Sequence, residues 1–201
     1  MKTTSKVLLL VLCAVLLVTA TALGTTAFLT SRDSVENTFT VGSIKITMDE
    51  LDIAKNDGSR TNTNAYTLVP GFEYTKDPTV HVDAVSENSW IFVKVENGIA
   101  AYEAPASEGD GAYKPIAEQI TANGWTPLDG VDGVYYKAYT KNGSGADLVV
   151  FENFRIADDA NDKAGWSAIS PETTKVNVTA YAVQKDGFDT ALAAWNATFG
   201  K

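Results

Sequence analysis

The chain has 201 residues, 45% of them hydrophobic, with 25 acidic against 16 basic side chains and a formal net charge of −9. That balance excludes the basic surface on which nucleic-acid binding depends. One cysteine, Cys13, and one histidine, His81, leave no thiol pair for a disulfide and too few imidazoles for the usual catalytic zinc site.

The N-terminus reads as an export leader. Lys2 and Lys6 precede an apolar run over residues 7–18, and small residues follow in 19–22 and 24–27. Ala20-Thr21-Ala22 and Thr25-Thr26-Ala27 both fit small-x-small cleavage; the second is preferred, which places the cut between Ala27 and Phe28. The alternative is an uncleaved anchor, because no charge falls between Val7 and Ser31. Leu12 stands where a small residue should precede a lipid-modified Cys13. Cleavage removes two basic residues and no acidic one, and leaves about 174 residues, the size of one domain with its own core. The chain thus divides into a leader (1–27), an N-terminal spacer or donor strand (28–40) and a β-domain (41–201).

Residues 38–48 alternate, with Phe39 and Val41 on one parity and Ile44, Ile46 and Met48 on the other. Gly42 sits at the phase change, where a β-bulge would return both sets to one face. Residues 49–63 are polar, contain Asn56-Asp57-Gly58-Ser59, and predict a loop. Residues 66–69 are β-like and lead into a Pro70-Gly71 turn, and 74–85 predict a strand interrupted by Pro78, which suits an edge or a bulge. Residues 90–95 carry apolar side chains on both parities, the pattern of a central strand covered on both faces. A surface loop over 100–111 and a short helix over 113–121 follow.

Residues 125–128 and 134–139 flank Asp129-Gly130-Val131-Asp132-Gly133, whose two Asp-Gly steps predict a hairpin. After a turn at 141–145, residues 148–156 predict one strand, with Val150, Asn153 or Phe154, and Ile156 competing for its buried face. Residues 158–165 predict a polar loop. Residues 174–183 alternate as a strand that either lies between two partners or carries an aromatic outer face. Phe188, Leu192, Trp195 and Phe199 then recur at helical steps, with Asp189 as the expected N-cap. Many short strands, no βαβ alternation and one terminal helix predict an all-β antiparallel sandwich with a short C-terminal helix.

The string from Asn37 to Thr47, NTFTVGSIKIT, placed directly after a leader ending Gly24-Thr25-Thr26-Ala27-Phe28, resembles the start of the TasA/camelysin family. Leu68-Val69-Pro70-Gly71, Lys76-Asp77-Pro78-Thr79-Val80, residues 90–96, and the closing Ala180-Tyr181-Ala182-Val183-Gln184 with Phe188 and Trp195 are similar to further parts of that family, whereas 100–168 offer no alignment. The resemblance implies a secreted Gram-positive protein with a jelly-roll-like β-sandwich, its leader removed by a SipW-type signal peptidase. It also implies assembly into extracellular biofilm-matrix fibres by donor-strand exchange, in which main-chain hydrogen bonds supply affinity and alternate side chains supply register. The donor would run from Phe28 to about Thr40, with Phe28, Leu29, Val35 and Phe39 as anchors. Arg32-Asp33 departs from an ideal donor strand, and a solvated spacer before an ordinary first strand remains the alternative.

Camelysin-type members are described as metalloproteases, but His81 stands in Thr79-Val80-His81-Val82-Asp83, without a His-Glu-x-x-His helix or a Gly-x-Ser-x-Gly elbow, and reads as a structural or sheet-surface histidine. The acidic run Asp158-Asp159-Ala160-Asn161-Asp162 breaks the EF-hand pattern at Ala160 and reads as a solvated loop rather than a calcium site. Trp125, Tyr135, Tyr136 and Tyr139 are candidates for stacking on a sugar, though aromatics in a hairpin more often pack. The sequence therefore predicts a secreted, non-enzymatic fibre subunit without cofactor or metal. Its expected partners are further copies of itself, related matrix subunits and the signal peptidase; it has no nucleic-acid partner and meets a membrane only through the uncleaved leader. The alternatives are a monomeric cell-surface module that binds carbohydrate or protein, and a camelysin-like metalloprotease.

Overall fold

The computed structural model describes residues 11–15, 42–55, 57–107, 112–170 and 174–200. The chain divides into two compact units, Met1–Val41 and Gly42–Lys201. Residues 11–15 of the first are helical. The expected cleavage site at Ala27 and Phe28, and the donor anchors Leu29, Val35 and Phe39, lie outside the described residues. Among the described residues no helix is long and apolar enough to cross a membrane.

The second unit is mostly β-structure in antiparallel pairs, with a few short helices. One sheet has the order β2-β1-β4-β8, from β1 (Ile46–Leu51), β2 (Arg60–Thr61), β4 (Thr79–Val82) and β8 (Ala146–Val149). A second has the order β10-β5-β7-β6, from β5 (Ser89–Asn97), β6 (Thr126–Pro127), β7 (Val134–Tyr139) and β10 (Val176–Gln184). β3 (Glu73–Thr75) and β9 (Asn153–Arg155) form a two-stranded ribbon.

The period-2 pattern of β5 explains the layering. Ile91, Val93 and Val95 enter one core with Val80, Val82, Phe151, Phe154 and Ile156. Trp90 and Phe92 enter a second with Leu128, Val134, Val183, Ala194 and Trp195. β5 is therefore covered on both faces, as its apolar residues on both parities predict, and each fully buried Ile or Phe contributes about 1.5–3 kcal/mol. The second core is closed by α2 (Ala191–Thr198), while α1 (Ile116–Ala122) adds Ile116 and Ile120 to the first. Trp195 lies 5.2 Å from Phe92 and 5.5 Å from Tyr181, ring centre to ring centre.

Several expected boundaries move. The strand predicted over 38–48 begins, within the described residues, at Ile46 and runs to Leu51; Gly42 lies before it and makes no bulge in it. Ahead of β1 the chain is tied to the 83–87 turn by isolated bonds, Glu87 N–H to the Ser43 carbonyl and Lys45 N–H to the Ser86 hydroxyl, rather than by a ladder. The loop predicted over 49–63 contains the end of β1 and all of β2. Residues 66–69 are not a strand: the Tyr74 hydroxyl donates to the Thr67 carbonyl at 2.8 Å and accepts from Val69 N–H at 2.7 Å, taking the place of a ladder.

The strands predicted over 74–85 and 148–156 each divide between two sheets. Their mutual register nevertheless holds throughout, from Glu73 opposite Arg155, through Lys76 N–H to the Glu152 carbonyl and Val150 N–H to the Pro78 carbonyl, to Val82 opposite Ala146. One long antiparallel pair is thus interrupted at residues 76–78 and 150–152. Among the described residues β10 pairs with β5 alone, and it turns Tyr181 toward α2, so there the aromatic outer face is the alternative that holds. The N-cap of α2 is Thr190, not Asp189, because the extended backbone at 190 lets its hydroxyl accept from Ala193 N–H at 3.1 Å. The polar stretch 158–165 holds a 3-10 turn, Ala160–Asp162, with Ala160 fully buried.

Candidate functional site

Among the described residues, the longest strand at the edge of a sheet is β10. The strand is nine residues long and bonded to β5 from Val176 opposite Asn97 to Gln184 opposite Ser89. No described strand pairs with its other edge, although β1 approaches it where the two sheets converge. Val176, Val178, Ala180 and Ala182 pack on the first core, and the strand itself contains no charged residue and no proline.

Beside the first residues of β10 lies a cavity of about 560 Å³. Tyr66, Leu68, Ile99, Phe154 and Val176 provide apolar lining, and Glu50, Asn64 and Lys76 provide polar lining. Glu50 is placed there by the pleat of β1, which turns it inward, and is 5% exposed. Its Oε2 accepts from Lys76 Nζ at 2.5 Å, and its Oε1 accepts from Asn64 Nδ2 at 3.0 Å. The Lys76 side chain is 12% exposed and that of Glu50 6%. Asn64 is fixed by its own bonds, Nδ2 donating to the Leu51 carbonyl at 2.7 Å and Oδ1 accepting from Ile53 N–H at 3.1 Å. Burial, and then the charge of Glu50, push the Tyr66 phenol well above its ordinary range.

On the opposite face of the same sheet a chain of charges crosses four strands. His81 on β4 is held by Asp147 of β8, 2.7 Å from Nδ1, and by Asp49 of β1, 3.0 Å from Nε2. Arg60 of β2 pairs with Asp49 and with Asp77, the latter at 2.8 Å. The hydrogen bond to Asp49 first, and that to Asp147 next, hold the imidazole above its ordinary value, with burial opposing them. Burial pushes the Asp49 carboxyl up, yet Arg60 and His81 together bring it below its ordinary value. His81 is thus a sheet-surface residue in a cross-strand network. Sequence reasoning singled it out but not its partners, which lie 32 and 66 positions away along the chain.

The remaining sequence candidates are placed as follows. Asp158 pairs with Arg155 at 3.1 Å and Asp159 with Lys163 at 3.7 Å, so two carboxylates of the acidic loop are already engaged. Among the described residues no group of three or more His, Cys, Asp or Glu stands where it could hold a metal ion. Trp125 and Tyr139 are 2% and 5% exposed, with the Trp125 indole donating to the Val149 carbonyl at 2.8 Å, and Tyr136 packs on Trp90. Two of the four hairpin aromatics are therefore core residues. The Glu50, Lys76 and Asn64 cluster was missed, because Glu50 falls in a predicted loop, Asn64 just beyond it and Lys76 in a predicted strand, and the three match no motif.

No family model, no curated protein and no solved structure matches this chain.

Proposed function

We propose that this chain is a secreted, non-enzymatic subunit of an extracellular matrix fibre. In this reading its fold is a jelly-roll-like sandwich, and copies join by strand exchange, with Phe28 to about Thr40 of one copy added to an open sheet edge of the next. The observation that carries the reading is β10: nine residues paired on one side, without the charge or proline that usually blunts such an edge. An extended segment laid along it gains main-chain hydrogen bonds, and alternate apolar side chains such as Phe28, Leu29, Val35 and Phe39 supply register. The resemblance at residues 37–47 supports the same reading.

Negative-stain electron microscopy of the exported, naturally processed protein tests it. Fibres are expected from the wild type and none from a chain lacking residues 28–40. Thr179→Glu, which places a charge on β10 opposite Lys94, is expected to leave the monomer folded and to abolish fibres. Monomers under every condition, or fibres that persist without residues 28–40, would sink the proposal.

A further inference from the structure

A lysine amine and an asparagine carboxamide condense without an enzyme when three conditions meet: the amine gives up its extra proton, a carboxyl group relays protons between the two, and water is kept away. The cluster at the β1 end of the cavity supplies the second of them, with both groups held on one buried carboxylate. Glu50 is nearly fully buried and holds Lys76 Nζ on one carboxylate oxygen and Asn64 Nδ2 on the other. Leu51 and Ile53 fix the carboxamide from its far side. Tyr66, Leu68 and Phe154 line the same cavity.

We propose that Lys76 and Asn64 are joined by a side-chain amide bond, with Glu50 as the acid–base group that forms it. Glu50 Oε2 takes a proton from the Lys76 ammonium, and the freed lone pair attacks Asn64 Cγ. Negative charge develops on Oδ1, where the Ile53 N–H already points at 3.1 Å. The attacking nitrogen sheds a second proton to Glu50, and protons pass through Oε1 to Nδ2. The Cγ–Nδ2 bond then breaks and the nitrogen leaves as ammonium. An ammonium side chain and a carboxamide become a secondary amide and an ammonium ion, Glu50 returns to its carboxylate, and no oxidant or second substrate is needed. The product is a covalent clasp in a chain whose single cysteine precludes an internal disulfide.

Tryptic mass mapping of the denatured full-length chain tests this. Without the bond, trypsin cuts after Lys76 and gives peptides 61–76 and 77–94. With it, cleavage there fails, and one peptide, 61–94, is expected to be lighter than its sequence mass by about 17 Da, the mass of ammonia. Fragment ions should place the loss between Asn64 and Lys76. Glu50→Gln and Lys76→Arg are each expected to restore full mass and cleavage at position 76. Two peptides of full mass from the wild type would overturn the proposal. The same loss confined to peptide 61–76, with Lys76 cut, would also do so, as it marks a succinimide at Asn64. So would Lys76 joined instead to the peptide that contains Glu50. The wild-type result stands alone should the Glu50 variant fail to fold.

Discussion

At the residue scale, His81 ties stability to pH. Its folded-state value is raised above the ordinary 6.5, so its contribution is complete below about pH 6.5 and is lost as pH rises through the raised value. Asp49 behaves oppositely: its value is lowered from 3.8, and its contribution holds above about pH 4 and is lost as pH falls through the lowered value. The melting-temperature gap between the wild type and His81→Gln is therefore expected to be widest at about pH 4–6.5 and to close toward alkaline pH. A gap that stays constant from acid to alkaline pH would show that the ring acts by packing alone.

Gly133 and Gly58 form a second residue-scale pair. Both have positive φ, 69° and 78°, but a β-carbon on Gly133 would stand 2.7 Å from the Val95 carbonyl oxygen, whereas one on Gly58 meets nothing within 4 Å. Gly133→Ala is expected to cost about 1–3 kcal/mol in denaturant unfolding and Gly58→Ala distinctly less. Equal costs would mean that backbone conformation, not the close approach, governs position 133.

At the element scale, the terminal helix supplies a clean comparison. Thr190 accepts from Ala193 N–H, so Thr190→Ala is expected to cost about 1 kcal/mol while Asp189→Ala changes the unfolding midpoint little. Trp195 packs on Phe92, Tyr181 and Phe199, and Trp195→Ala is expected to cost about 3–5 kcal/mol. Much at this scale was legible in the sequence. Two Asp-Gly steps announced the β6–β7 hairpin, and apolar residues on both parities announced β5. The interruption of the long pair was legible on one side only: Pro78 marks a break, but Val150-Phe151 continues the apolar run straight through it. The candidate sites were less legible still. Glu50, Asn64 and Lys76 converge only because β1 turns Glu50 inward, and the sequence pattern had assigned Glu50 to a loop.

At the scale of the whole molecule, a chain cut after Ala27 would keep 14 basic and 25 acidic residues, and its net charge of −11 would repel copies of itself. Added salt screens that repulsion over about 10 Å at 0.1 M, so the proposed assembly is expected to quicken as ionic strength rises from a few millimolar to physiological levels. Light scattering that shows no salt dependence, or the reverse, would mean that charge does not limit the encounter.

The pairing of β5 with β10 also sets a clock. Ser89 meets Gln184 and Asn97 meets Val176, so one of the two neighbours of β5 in the second sheet lies 78 or more residues further along the chain. Closing so long a loop costs entropy before any contact rewards it, which makes folding slow. Refolding followed by tryptophan fluorescence is expected to show a dominant slow phase that disappears when residues 176–201 are removed. A chain emerging N-terminus first would thus leave β5 without this neighbour until the 78 residues between Asn97 and Val176 had followed it.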